Sequence, residues 1–262
     1  MLVTNTLFGV VDKVEIALAR LREFEPPEGY YGAFSGGKDS CVIKALAKMA
    51  GVRVDWHYNL TTVDPPELVQ FIRTEHPDVT IHRPKLTMWQ LIAQKKRMPP
   101  TRMARYCCEY LKEGRGNGHL DQGRRVMTGV RWAESTKRSK RRMVEACFRG
   151  NKAFLHPIID FDDGDVWEFI KSESIPYCRL YDEGFQRLGC IACPMAGKNG
   201  MEREFQRWPK YKQAYLRAFA RMIERCKGEG KPVSWATPEE VMTWWVNGAR
   251  DTRDPDQSVM FE

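Results

Sequence analysis

The apolar run Tyr30-Tyr31-Gly32-Ala33-Phe34 passes straight into Ser35-Gly36-Gly37-Lys38-Asp39-Ser40, and a helical pattern begins at Cys41-Val42-Ile43 without a break. Few folds accept that order. A buried strand that turns through two glycines into a helix aims the free N–H groups of the first helical turn at the loop, and the helix dipole favours an anion there. Gly36 and Gly37 let the backbone come close to phosphate oxygens, Ser35 and Ser40 add hydroxyl donors, and Lys38 adds a charge. Two glycines also serve a plain tight turn, but the clustering of Ser, Lys and Ser around them favours an anion site. The spacing is not that of a Walker A loop, whose Lys-Ser/Thr pair follows a longer glycine-spaced stretch.

The rest of the chain alternates in the same way. Strand patterns at 52–58, 79–82, 124–131 and 153–161 are separated mostly by helical ones. Asp64-Pro65-Pro66-Glu67 reads as a helix start, with Asp64 as its cap. Asp160, Asp162, Asp163 and Asp165 read as caps of the helix in "DVWEFIKSES" rather than as a metal site. This alternation predicts an α/β fold with a mostly parallel sheet covered by helices on both faces. Residues 1–25 read as an amphipathic helix. After Pro194 the pattern turns helical and charged, so the expected division is an α/β domain over 1–194 and a helical region over 195–262. Trp244 and Trp245, in the last helical pattern, read as packing, and the helical region itself as core cover and an oligomer contact.

No run of 18 apolar residues is present, so no membrane span is expected and a cytoplasmic location is the default. The formal charge of +8 over 262 residues suits an anionic partner. Much of it crowds into Lys137, Arg138, Lys140, Arg141 and Arg142, either a solvated loop or a loop that gathers phosphate. Arg131 and Arg138 flank Glu134 at a strand end, where arginines fork onto phosphate or sulfate or make surface ion pairs.

Eight cysteines in a reducing compartment are free or metal-bound. Cys107-Cys108 falls on a helical pattern and Cys190-x-x-Cys193 in a turn. Brought together, two pairs make a four-thiolate site for zinc or an iron–sulfur cluster. Adjacent cysteines diverge by about 100° on a helix, which is awkward for one small tetrahedral ion and easier for a cube with separate irons. Cys41 reads as core packing.

"SGGKDS" resembles the pyrophosphate loop of the ATP-pyrophosphatase superfamily, which cleaves nucleotides between the α and β phosphates. "RYCCEYLK" (105–112), "TGVRWAESTKR" (128–138) and "HPIIDFDDGDVWEFIKSESIPYCRLYDEGFQRLGCIACP" (156–194) narrow the likeness to the phosphoadenosine phosphosulfate (PAPS) reductase family, over about residues 30 to 194. The resemblance implies a Rossmann-like three-layer α/β/α sandwich. It implies nucleotide binding by Ser35, Gly36, Gly37, Lys38, Asp39 and Ser40, with Lys38 and Asp39 in the catalytic step and Arg131, Glu134 and Arg138 around the anion. It makes Cys107, Cys108, Cys190 and Cys193 the ligands of a [4Fe–4S] cluster, as in one branch of the family.

Two features depart from the family pattern. Its reductases attack the sulfate sulfur with a cysteine in a C-terminal Glu-Cys-Gly motif, whereas Cys226 sits in "ERCKGEG" and no cysteine follows it in this sequence. They usually carry Asp-Thr-Gly after the second strand, where this chain has Asn59-Leu60-Thr61-Thr62. The expectation is therefore an enzyme that binds ATP or a related adenine nucleotide, with Mg2+, releases pyrophosphate and takes part in sulfur transfer to an acceptor. A tRNA or DNA acceptor, a sulfur-donor or electron-donor protein, and a homo-oligomer are the expected partners. A thiol-dependent PAPS or adenylylsulfate reductase, and a nucleotide-responsive iron–sulfur regulator, are the alternatives.

Overall fold

A computed structural model describes residues 2–6, 9–112, 121, 123–147 and 152–248. In chain order the elements are β1 (Val3–Thr6), β2 (Gly9–Asp12), α1 (Lys13–Glu23), β3 (Tyr30–Ala33), α2 (Lys38–Ala50), β4 (Val54–Asn59), α3 (Pro66–Glu75), β5 (Thr80–His82), α4 (Met88–Gln90), α5 (Tyr106–Leu111), β6 (Arg125–Met127), β7 (Val144–Cys147), β8 (Lys152–Leu155), α6 (Asp163–Ser172), α7 (Gly197–Arg207), α8 (Pro209–Gly228) and α9 (Pro238–Val246). The chain forms two compact units, each stitched from three segments. Met1–Tyr58, Pro66–His82 and Leu120–Leu188 make the first; Asn59–Pro65, Arg83–His119 and Gly189–Glu262 make the second.

In the first unit six strands lie in the order β5-β4-β3-β6-β8-β7. β3 pairs in parallel with β4 and β6, and β6 with β8; β7 adds an antiparallel edge against β8. The mostly parallel sheet with helices is the α/β architecture expected. The centre of the sheet is β3, and the loop after it lies at the C-terminal ends of the strands, where open α/β sheets bind ligands. α2 fixes this end of the unit by burying Cys41, Val42, Ile43, Leu46 and Ala47. Full burial of one large aliphatic side chain contributes about 1.5–3 kcal/mol, so the helix that presents the loop is well anchored. α1 and α6 both pack on α2.

One local expectation is corrected here. The N-terminal helix begins only at Lys13: residues 3–12 form the β1–β2 hairpin, and the Asp12 carboxylate accepts from the N–H groups of Val14 and Glu15 to start α1. Gly9, at φ +121°, sits at the hairpin turn. The helix expected to begin beside Asp64 starts at Pro66, and the Asp64 carboxylate accepts from Thr61 N–H at 2.6 Å, in a buried loop of the second unit.

In the second unit α8 packs on α7, α9 and the π-helical turn Leu91–Lys95. Trp245 is 2% exposed and donates through Nε1 to the Pro100 carbonyl at 2.6 Å, so it is packing, as expected. The helical, charged pattern after Pro194 folds as α7 and α8 in succession, broken at Trp208 (φ −126°, ψ 68°). Pro209 causes the break: its ring disfavours helical backbone at the residue before it, and it offers no N–H of its own. Among the described residues no helix is long and apolar enough to cross a membrane. The tail from 249 to 262 lies outside the described residues.

Candidate functional site

The glycine loop is built in the first unit. Gly36 takes φ +71°, and a Cβ there would stand 2.6 Å from Leu68 Cδ1 and 2.9 Å from Ile72 Cδ1. α3 thus packs against the loop so closely that only glycine fits. Gly37 is the N-cap of α2 and supplies no side-chain cap. Ser35 Oγ accepts from Gly37 N–H at 3.3 Å and lies 3.2 Å from Ser40 Oγ, which donates to the Gly37 carbonyl at 2.8 Å. The two serines therefore brace the loop from within.

Lys38 is buried to 6% exposure in the first turn of α2. Its Nζ lies 3.4 Å from Asp163 Oδ1 and 3.9 Å from Asp39 Oδ2. Arg131 ties these carboxylates together: Nε donates to Asp39 and Nη2 to Asp163, each at 2.7 Å, while Nη1 donates to the Phe161 carbonyl at 3.3 Å. Arg131 is itself 1% exposed. Gly129 makes the approach possible, since a Cβ there would meet the backbone and Cβ of Asp39 at 3.0 Å. Burial raises the Asp163 carboxyl, but the Arg131 hydrogen bond and the Lys38 charge outweigh it and hold the group below its ordinary value.

Lys38, Asp39 and Arg131 are thus brought into one network. Asp163, read from the sequence only as a helix-cap acid, belongs to that network; the cap of α6 is Asp162, in a capping box with Asp165. Glu134 and Arg138 pair with each other. Burial, and then the nearby Arg187, lower the Arg138 guanidinium, with Asp39 opposing and Arg141 and Arg131 adding to the effect. The end of the sheet is accordingly crowded with cations. His156 stays neutral among them: burial first, and Arg141 second, push it down to about 4, and its Nδ1 lies 2.7 Å from Thr128 Oγ1. Three groups that sequence reasoning missed, Tyr181, His156 and Arg187, have no spacing signature that would have found them. Tyr181 accepts the Lys38 N–H at 2.9 Å.

The four cysteines all lie in the second unit. Cys107 and Cys108 sit on α5, and Cys193 N–H donates to the Cys190 carbonyl at 3.2 Å in the turn. None of the described cysteines is in a disulfide, and these four are partly exposed. The Cys190–Cys193 turn is held at nearly every peptide group. Ile191 N–H donates to the Val63 carbonyl at 2.7 Å, Tyr215 donates to the Ile191 carbonyl at 3.0 Å, and Glu204 accepts from Ala192 N–H. The Cys190 thiol donates to Thr61 Oγ1 at 3.4 Å. Ala192 (φ +61°) and Thr62 (φ +68°) take left-handed backbone without being glycine, a strain that such clamps can sustain.

The four thiols act on one another. A hydrogen bond with Cys108, then burial, then the charges of Cys190 and Cys193 push the Cys107 thiol far up. Cys190 in turn raises the Lys112 ammonium. Among the described residues no three His, Cys, Asp or Glu groups converge as a single metal ion requires. Four free thiols are the donor type that both zinc and iron–sulfur centres take.

A strand, a glycine loop and a buried first-turn lysine are the arrangement that nucleotide-binding α/β folds use to face phosphate. Residues 30–196 match the phosphoadenosine phosphosulfate reductase domain, and the chain belongs to that family. It is similar to an adenosine 5'-phosphosulfate reductase of Oceanobacillus iheyensis, 28% identical over 144 residues that cover 54% of this chain and 60% of the relative. It is also similar to an uncharacterised protein of Methanocaldococcus jannaschii, 29% identical over 204 residues, 76% of this chain and 47% of the relative. The chain thus spans less than two thirds of the length of these curated relatives. A crystal structure of PAPS reductase from Candida auris in complex with phosphate shares the fold at a TM-score of 0.53 and 18% identity, covering 69% of this chain and 88% of that one.

Proposed function

We propose that the chain is an ATP-using enzyme of sulfur transfer. The loop of Ser35, Gly36, Gly37, Lys38, Asp39 and Ser40 would hold the β and γ phosphates of ATP. An acceptor oxygen would attack the α phosphorus, the bond between the α phosphorus and its bridging oxygen would break, and pyrophosphate would leave with the electron pair while the acceptor's proton passes to solvent. A sulfur nucleophile would then displace AMP. The observation that carries this reading is the buried Lys38 ammonium at the N-terminus of α2, beside a loop that admits no side chain at Gly36. Fixed charge and amides at that place stabilise a leaving pyrophosphate without reorganising.

Arg131 would work at one remove, since three of its five N–H donors, one on each nitrogen, go to Asp39, Asp163 and the Phe161 carbonyl. It sets the position of the carboxylates that flank Lys38. Arg138 and Glu134 would face the anion's remaining oxygens or the acceptor. Mg2+ would enter as the nucleotide's own counter-ion. Cys107, Cys108, Cys190 and Cys193 would hold a [4Fe–4S] cluster, which when bound supplies redox and sulfur-binding chemistry. Exposed Lys137, Lys140 and Arg142, with Trp132 43% exposed beside them, support a nucleic-acid acceptor.

A second reading, thiol-dependent reduction of adenylylsulfate, is favoured by the name of the Oceanobacillus relative. Against it, Cys226 is fully buried on α8 and presents no nucleophile. Anaerobic assays separate the two. ATP-dependent release of pyrophosphate and AMP with bulk tRNA or DNA as acceptor is the expected result. Thiol-dependent sulfite release from adenylylsulfate, indifferent to ATP, would establish the reductase instead.

A further inference from the structure

We infer that Tyr181 is an anion-contacting residue of the glycine loop, its phenol relaying the Lys38 N–H: it accepts from that amide and offers its own O–H to an oxygen of pyrophosphate. This rests on the reading that the loop binds the pyrophosphate end of a nucleotide.

Helix N-termini bind anions through their first free amides, and here those amides are largely spoken for. Gly37 N–H donates to Ser35 Oγ, and the N–H groups of Ser40 and Cys41 both reach the Gly37 carbonyl. The first amide of α2, that of Lys38, donates to Tyr181 Oη at 2.9 Å. A phenol has one proton to give and can accept at the same time. Among the described residues no hydrogen bond runs from the Tyr181 hydroxyl to a protein acceptor. Its proton is therefore available to a ligand, and a hydroxyl that already accepts a hydrogen bond is the better donor for it.

The placement is specific. Tyr181 Oη would stand 3.4 Å from a Cβ on Gly37, so it borders the loop where the helix begins. The Lys38 ammonium lies 5.9 Å from the centre of the same ring. One side chain thus meets both the backbone and the charge of the residue that carries the site. The ring is fixed edge-on to Trp167 at 5.2 Å and to Tyr177 at 6.4 Å, and its own N–H donates to the Cys178 carbonyl at 3.1 Å. A donor held in place by packing loses little further freedom on binding. Burial, then the nearby Asp39, Cys41 and Cys178, raise the phenol, while the Lys38 amide opposes them; it keeps its proton at neutral pH.

The same geometry admits one opposite role, in which Tyr181 merely fills the cradle and must leave before an anion enters. The two roles differ in sign. Titration of inorganic pyrophosphate into the full chain by calorimetry, with Tyr181→Phe alongside, distinguishes them. Loss of a hydrogen bond to a charged ligand weakens binding roughly tenfold or more, while the ring stays and thermal unfolding shifts by no more than the one hydrogen bond accepted from the Lys38 N–H. Equal affinity, or tighter binding by Tyr181→Phe, overturns the inference. Should Tyr181→Phe fail to fold, a ring-fluorinated tyrosine at 181 whose phenol ionises near neutrality keeps the shape. Pyrophosphate affinity in that protein should fall with rising pH relative to the natural chain, because a phenolate has no proton to give and repels the anion; a parallel pH course overturns the inference. Absence of pyrophosphate and ATP binding by the natural chain would instead sink the reading of the loop on which it rests.

Discussion

Glu204, on α7, accepts a hydrogen bond from the Ala192 N–H at 2.5 Å, inside the turn that carries Cys190 and Cys193. Burial raises its carboxyl to about 7, with the Ala192 amide opposing. For an acid whose folded value lies above its unfolded one, stability falls as pH rises between the two values and levels off above the higher. The chain should therefore lose stability between about pH 4.5 and 7, by on the order of 3 kcal/mol at 1.36 kcal/mol per unit. Glu204→Gln, which keeps an oxygen acceptor, should flatten that slope in urea unfolding at pH 5 and pH 8. An unchanged slope would show that Glu204 does not titrate across this range.

Gly36→Ala should abolish tight nucleotide binding and lower stability. Its φ of +71° costs an L-residue about 1–2 kcal/mol, and the new methyl would overlap Leu68 and Ile72. The comparison is with Gly51→Ala, also at positive φ (+73°) but with open space around it. That variant should lose stability alone and keep ATP affinity in calorimetry.

Arg131→Met should cost about 3 kcal/mol in denaturant unfolding, the low end for breaking a buried ion pair. The low end applies because the Asp163 side chain is 73% exposed and its share is screened by water. The Asp39 share is the larger. Asp39→Asn in the Arg131→Met background should therefore recover part of the loss, and an additive double variant would argue against the coupling.

Cys190→Ser or Cys193→Ser should lower the iron and sulfide content of anaerobically purified protein, with loss of the cluster's visible absorption. Cys41→Ser and Cys226→Ser should not, since both thiols are buried in the packed faces of α2 and α8. Zinc without iron in the unaltered chain would reassign the site.

Much of this was legible in the sequence, and the reason is locality. The strand, the glycine turn and α2 are set by neighbours within twenty residues, as is the capping of α6 by Asp162 and of α9 by Thr237. The errors came where a local rule met a tertiary competitor. Residues 3–12 carry an apolar pattern compatible with a helix, yet they pair as a hairpin. Asp163 and Tyr181 join the loop only through contacts made 125 and 143 positions away from Lys38. No spacing rule reaches so far.

The three-segment construction of each unit also sets an order of assembly. Cys108 and Cys190 are 82 positions apart (190 minus 108). The first unit takes its last strand and helix from residues before 189, whereas the second still lacks its longest segment at that point. During synthesis the nucleotide-loop unit can close while Cys107 and Cys108 wait, without Cys190 and Cys193 beside them. Closing so long a loop costs little more than closing one half its length, about 0.6 kcal/mol per doubling, but it cannot begin until the later thiols exist. Any centre that uses all four thiols is thereby deferred until residues beyond 189 are made, when α7 and α8 arrive to lock the turn.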